Sequence, residues 1–477
     1  MAVVAAYVVN AILNLALGLL VAQILGPEGF GAFALGIAGA TVLTTLSFEW
    51  LRLSATRHYS ARVREAKPSI RATLDRAYGA IGLGLGATAL LCVASWPLLG
   101  DSALMAGAAA LAAIGIGVFD YQTALARALF VGRLYLLLVL AKCGFAVVFM
   151  AGAAWATGSA AAVVAAAGIG QFLAALLLSG ALADAPHRPA PRRGRAHLRR
   201  FLAYGLPLIA AIVVFQLMPF ANRGAVALTA GLSQAGYFAL AADIGVRVFM
   251  TLGTALDVML FQLAVRAEEA EGRAAGEAQV ARNLALVAAI LLPTAAGFWT
   301  VSPALEAVAI PPAYRGHFTA YLAPLLPGFL ATALLLFGLN PVFQIRRRTR
   351  PVIVAALIGL AANALAIAGL TGPFGAFGIA AAQSLGAVAA LAYLGWRALR
   401  GPERLRLPLA DLVGAVLATG LMTAALLPLR GLPPWLSLAA SVPLGAALYA
   451  GLAWRFDIAG LRGVVAGLRP RHPAAIG

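Results

Sequence analysis

The sequence predicts an all-α, polytopic membrane protein of about 14 transmembrane helices, arranged as two pseudo-symmetric six-helix lobes plus two extra C-terminal helices. Three observations lead there: an extreme apolar composition, a regular alternation of apolar runs with arginine-rich and arginine-poor connections, and a short internal repeat. Of 477 residues, 62% are hydrophobic and 11% are charged, whereas soluble domains carry about 25% charged residues. Mean hydropathy is +0.92. A helix needs about 20 apolar residues to cross a bilayer core, so the chain has room for many spans and little else.

Apolar runs of roughly 17–25 residues fall near 2–25, 30–51, 77–99, 103–126, 134–156, 160–183, 201–221, 234–262, 283–305, 318–343, 351–371, 376–397, 408–428 and 434–454. The first, MAVVAAYVVNAILNLALGLL, lacks the basic start of a cleavable signal and carries Asn10 and Asn14, so it is expected to be a retained span. Basic residues mark every second connection. These are Arg57, Arg62, Arg64, Lys67, Arg71 and Arg76; Arg127 and Arg133; and Arg188, Arg192, Arg193, Arg195, Arg199 and Arg200. Further along come Arg346, Arg347, Arg348 and Arg350; Arg397, Arg400, Arg404 and Arg406; and the tail residues Arg455, Arg462, Arg469 and Arg471. Intervening connections such as GPEG (26–29), GDS (100–102) and ATGSA (156–160) are short and almost free of Lys and Arg. A Lys/Arg excess marks the cytoplasmic side, so both termini are expected there. The stretch 263–282 mixes Arg266, Arg273 and Arg282 with Glu268, Glu269, Glu271 and Glu277 and reads as a neutral connection.

The net charge of +18 does not indicate nucleic acid, because the charges punctuate apolar runs instead of forming a basic face on a soluble fold. Cys92 and Cys143 lie in apolar stretches without CxxC spacing and read as packing residues, with neither a disulfide nor a metal site expected.

The decapeptide GPEGFGAFAL at 26–35 opens the second run, and GLSQAGYFAL at 231–240 opens the eighth. Glycines align at Gly26/Gly231 and Gly31/Gly236, followed by a shared Phe-Ala-Leu. Copies separated by an even number of spans face the same way, as in parallel repeats related by an axis along the membrane normal. The organisation expected is an N-lobe over 1–183, a basic linker over 184–200, a C-lobe over 201–400, and two further spans with a tail over 401–477.

Ionisable groups inside spans are costly and are treated as functional candidates. Glu49 and Arg52 stand at i,i+3 and can pair; Asp120, with Gln122 beside it, ends the fourth run; Lys142 lies in the fifth. On the eighth, Asp243 and Arg247 share a face, and Asp257 returns to nearly the same azimuth at about 100° per residue. Arg223 follows Asn222 near the end of the seventh run, with Gln216 behind it. A guanidinium facing a cavity suits a phosphate, while paired charges equally suit helix packing. Prolines at Pro207, Pro219, Pro293 and Pro341 interrupt helices.

ILGPEGFGAFALGIA, FEWLRLSATRHYS, FLAYGLPLIA and NRGAVALTAGLSQAGYFALAADIG together resemble the polysaccharide (O-antigen type) flippases of the multidrug/oligosaccharidyl-lipid/polysaccharide exporter superfamily, which includes the MATE transporters. The resemblance implies a non-enzymatic transporter of the bacterial cytoplasmic (inner) membrane. It would carry a polyprenyl-diphosphate-linked oligosaccharide to the outer leaflet by alternating access, for polysaccharide or lipopolysaccharide export. It implies a cationic cavity, for which Arg223, Arg247 and Lys142 are the matching substrate-binding candidates. Relatives show Asp-Arg where this chain has Asn222-Arg223, so the coupling acid is sought at Asp243 or Asp257, with Glu49, Arg52 and Asp120 as further coupling or charge-pair candidates. No cofactor is expected beyond a coupling ion, H+ or Na+; the expected partners are the lipid-linked oligosaccharide, membrane lipids and other polysaccharide-assembly membrane proteins, with no nucleic acid.

Three other readings compete. A multidrug cation antiporter shares the architecture but favours an acidic cavity, and a lipid II flippase favours more unpaired cavity arginines. A membrane-embedded glycosyltransferase or glycan polymerase needs catalytic acids on a large outer loop, and no HExxH or GxSxG motif stands in the chain.

Overall fold

Lipid offers no hydrogen-bond partners, so a chain crossing it must satisfy its backbone internally, and helices do so. The computed structural model describes residues 2–184, 191–346, 348, 350–400 and 405–462, and among them every regular element is helical. Arg188, Arg347, Arg404, Arg469 and Arg471 of the expected basic rim lie outside the described residues. Twelve helices among the described residues are long and apolar enough to cross a membrane. The chain divides into two compact units, Met1–Leu240 and Ala241–Gly477, so the packing boundary falls beyond residue 200 and within a helix.

The first unit holds α1 (Ala2–His58), the short α2 (Ala61–Ala66), α3 (Pro68–Ala94), α4 (Trp96–Leu99), α5 (Asp101–Ala128), α6 (Gly132–Ala146), α7 (Gly152–Thr157), α8 (Ala160–Leu177), α9 (Pro191–Ala230) and the start of α10 (Leu232–Glu271). A π-helical turn, Val147–Ala151, joins α6 to α7. α1 breaks at Gly26, whose φ of 66° and ψ of 178° suit glycine alone. α3 exposes Leu83, Leu90 and Leu91 by 70% or more, a pattern that only a lipid-facing helix tolerates. α5 and α8 cross through small residues: a Cβ on Gly115 would strike the Gly168 carbonyl, and one on Gly168 would strike the Ala112 backbone. Close backbone approach of this kind is how membrane helices gain dispersion contact without a hydrophobic driving force. Phe48, Leu51, Leu74, Tyr78, Leu125, Leu138 and Phe201 fill the unit's core.

The two repeat copies touch each other. A Cβ on Gly31 would strike the Leu232 carbonyl, and one on Gly236 would strike the Pro27 carbonyl. In the repeat alignment Pro27 and Leu232 are equivalent, so each copy offers its glycine to the other's matching carbonyl, and the contact has local two-fold symmetry. Both helices start from glycines of positive φ, Gly26 at 66° and Gly231 at 91°.

The second unit contains the rest of α10, then α11 (Arg273–Ala309), α12 (Phe318–Ala333), α13 (Asn340–Ile345), α14 (Arg350–Leu399), α15 (Leu409–Leu426) and α16 (Pro434–Arg455), with a π-helical segment Leu334–Leu339 between α12 and α13. α14 is a hairpin of two antiparallel limbs. It turns at Gly375 (φ 55°, ψ −135°), and the limbs meet where Gly359 faces the Gly386 carbonyl and Gly378 packs on the Leu370 backbone.

Three weak points of these helices are met by a side chain from elsewhere. Pro303 inside α11 leaves the Trp299 carbonyl without its helical donor. Arg430 donates to Trp299 O (2.7 Å) and Thr300 O (2.9 Å) and lies 4.0 Å from the Trp299 ring centroid. In α12, the Ser384 hydroxyl accepts from Gly328 N (2.9 Å) and donates to Pro324 O, the two ends of one helical step. Glu306, 7% exposed, caps α12 by accepting from Phe318 N (3.1 Å) and the Thr319 hydroxyl (2.6 Å).

Two expected connections are helical. Residues 191–200 of the basic linker form the opening turns of α9, and the mixed stretch 263–282 is helix except at Gly272, where α10 ends and α11 begins. Arg346 clamps that corner with a bidentate pair to Glu277 (3.0 and 2.9 Å), which Arg273 also approaches at 3.3 Å.

Gly31→Ala and Gly236→Ala should each lower the thermal unfolding midpoint in detergent, at a cost of about 1–3 kcal/mol, because a methyl meets opposing backbone. Gly79→Ala, whose Cβ meets open space, should not. Midpoints that fall equally in all three would dismiss the crossing as a constraint.

Candidate functional site

Four of the charged residues singled out in the sequence converge in the first unit. The limb of α1 beyond Gly26 carries Glu49 and Arg52, which form a two-pronged ion pair with Arg52 Nε 2.7 Å from Glu49 Oε2 and Nη2 on Oε1. Asp120, half-buried on α5, lies in the electrostatic field of Lys142, Arg52, Glu49 and Arg127. Among the described residues nothing hydrogen-bonds its carboxylate. Lys142, half-buried on α6, sets its ammonium 5.1 Å from the Phe119 ring centroid, a cation–π contact that holds it without neutralising it. Three helices thus bring two acids and two bases to one place inside the apolar layer. Such a cluster can exchange partners with a cation, a proton or an anionic ligand at modest cost.

Arg223 stands on α9 and donates from Nη1 to Ala34 O at 3.0 Å. Ala34 belongs to the first repeat copy, so Arg223 ties α9 to that limb of α1; Asn222 beside it is fully buried. In the second unit, Arg247 is exposed on α10 while Asp243 and Asp257 are half-buried. Among the described residues Arg247 makes no ion pair, so the spacing that puts Asp243 and Arg247 on one face does not make them partners.

A second polar network went unseen in the sequence. Arg71, buried on α3, donates from Nε to both Asp75 oxygens (2.8 and 2.9 Å), and its guanidinium lies 5.2 Å from the Tyr121 ring and 5.7 Å from the Tyr59 ring. Tyr121 donates to Asp75 (2.7 Å) and stacks on Tyr78 at 4.1 Å, which in turn stacks on Phe48 at 5.2 Å. Tyr59 donates to Asp184 (2.8 Å), and Arg64 reaches the same carboxylate at 2.6 Å. Burial and the Asp184 carboxylate push the Tyr59 hydroxyl up to about 12, so it stays a donor. The i,i+4 spacing of Arg71 and Asp75 was the one signal present in the sequence; the arginines of this connection otherwise read as topology markers.

The sequence profile of the family described as "Polysaccharide biosynthesis protein" matches residues 20–310. The chain belongs to that family. The match takes in both repeat copies, the Glu49–Arg52–Asp120–Lys142 cluster and Arg223. Among solved structures, this family member is similar to "Lipid II flippase MurJ, inward closed conformation", with a TM-score of 0.74 and 14% identity over 96% of this chain and 98% of that one. It is also similar to "Inward-facing conformation of a multidrug resistance MATE family transporter of the MOP superfamily", with a TM-score of 0.60 and 14% identity over 87% of this chain and 95% of that one. At these identities the likeness establishes a shared fold. No curated protein sequence matches the chain.

A double-mutant cycle on Glu49→Gln and Arg52→Gln should return a coupling of about 1 kcal/mol in unfolding free energy, the scale of a partly exposed pair with good geometry. Additive losses would mean that the two side chains act separately.

Proposed function

We propose that the protein is a flippase that moves a polyprenyl-diphosphate-linked oligosaccharide across the cytoplasmic membrane by alternating access. Family membership over residues 20–310 carries this reading, and the fold shared with a lipid II flippase along nearly the whole of both chains supports it. A cargo of this kind has an apolar tail, a dianionic linkage and a polar glycan. The tail stays in lipid, so the protein has to shelter only the charged and polar parts. Lys142, Arg223 and Arg247 are the cations proposed to meet the diphosphate, Arg223 and Arg247 by paired N–H donors.

Asp120, with no hydrogen-bond partner among the described residues and Lys142 and Arg52 in range, is proposed to exchange a proton or Na+ during the cycle. Asp243 and Asp257 are the alternatives for the same role, and Glu49–Arg52 would serve as the fixed pair beside Asp120. In this reading residues 1–183 and 201–400 act as the moving lobes, both termini lie in the cytoplasm, and other polysaccharide-assembly membrane proteins supply and receive the cargo.

Reconstituted vesicles with a labelled polyprenyl-diphosphate sugar test it directly. The wild-type protein should bring label to the opposite leaflet, and Arg223→Ala, Arg247→Ala and Lys142→Ala should each slow this about tenfold or more while still inserting in the membrane. Full-rate transfer by both arginine variants would remove the cationic assignment. A lipid II flippase is the second reading, favoured by the TM-score of 0.74 against 0.60 for the multidrug transporter; unlabelled lipid II that competes as well as the sugar-matched cargo would select it.

A further inference from the structure

The basic residues of the first unit's rim differ in how they are partnered. Arg64 and Arg71 are taken up by Asp184 and Asp75. Arg57, Lys67, Arg193 and Arg200 are exposed, and among the described residues none of the four has a carboxylate partner. They come from three separate segments: the end of α1, the step between α2 and α3, and the opening turns of α9.

A stack on the buried Phe201 ring draws these segments together. Phe201 lies between His58 and His197, with ring centroids 5.8 and 6.3 Å away. His197 shares a hydrogen bond with the Ser69 hydroxyl at 3.1 Å, and the Ser54 hydroxyl donates to Phe201 O at 3.3 Å. The cations around the stack act on its rings: Arg57 and Arg200 on His58, and Arg200, Lys67 and Arg193 on His197. Among the described residues no acid acts on either ring. Burial, then these cations, hold the His197 imidazole below the usual histidine range.

We propose that Arg57, Lys67, Arg193 and Arg200 form a phosphoryl-anion site at the rim of the first unit, filled by the phosphate of a membrane lipid headgroup. A phosphate accepts guanidinium N–H bonds and offsets positive charge gathered at one place. A lipid is the natural source because the apolar run of α9 begins at Phe201, directly after Arg200, which sets Arg200 at headgroup level with Arg193 about two helical turns further out. The site is separate from Glu49, Asp120 and Lys142 and stands whatever the protein transports.

The test uses the full chain labelled in its histidines, of which there are five, and follows His197 by NMR titration. An anion settling beside His197 stabilises the imidazolium, so its pKa should rise by about one pH unit in nanodiscs containing phosphatidylglycerol relative to phosphatidylcholine alone. The triple variant Lys67→Gln, Arg193→Gln, Arg200→Gln, altered only at exposed positions, should lose that difference. A rise that persists in the variant would be the general potential of an anionic bilayer and would overturn the site. Inorganic pyrophosphate, added to protein in detergent, distinguishes the sources: a response equal to that of phosphatidylglycerol would overturn the lipid assignment in favour of a soluble anion. No response to either probe would overturn the proposal altogether.

Discussion

The fold is governed by what happens to backbone polar groups where a helix is interrupted. In water a carbonyl freed by proline is solvated; inside a bilayer it has to find a donor in the protein, and the cost of leaving it bare is several kcal/mol, roughly the net stability of a whole domain. Three such places in the second unit have a side-chain partner. Arg430 reaches the carbonyl opened by Pro303, Ser384 spans one step of the proline-rich α12, and Glu306 caps the first turn of α12. These side chains come from α14, from the connection after α15, and from α11, so the repairs also bind the helices of the second unit to one another. Helix packing and backbone satisfaction are here the same set of contacts.

Small residues play the complementary part. Where helices run unbroken they pack through glycine and alanine, at Gly115–Gly168 in the first unit and Gly359–Gly386 in the second. The lipid-facing sides keep their leucines. The four charges of the cluster stand on three helices: Glu49 and Arg52 on α1, Asp120 on α5 and Lys142 on α6 lie close enough to share one electrostatic field.

Much of the fold was legible because membrane spans are written in composition, and composition survives without knowledge of neighbours. The Glu49–Arg52 pair was legible too, since residues three apart on a helix must be close. What stayed hidden has two causes. Charged stretches read as helix ends, yet Glu, Arg and Ala favour helix strongly, so 263–271 prolongs α10 beyond its apolar run and 191–200 opens α9 ahead of its own. Long-range partners leave no periodic trace: Tyr59 meets Asp184 across 125 residues and Arg346 meets Glu277 across 69, and nothing local marks either. The converse failure is Asp243 and Arg247, where local spacing suggested a pair and the helix leaves Arg247 facing outward. The repeat was readable as sequence, but that its two copies would lie against each other was not.

That last feature bears on how such a protein changes over generations. Duplicated segments ordinarily drift apart, since each answers to its own surroundings. Here the surroundings of each copy are the other copy, glycine against carbonyl in both directions. A larger residue arising in one copy is felt first by its twin, and no compensating change within the same copy can make room. Gly31 and Gly236 therefore each set a limit on what the other copy's backbone can meet.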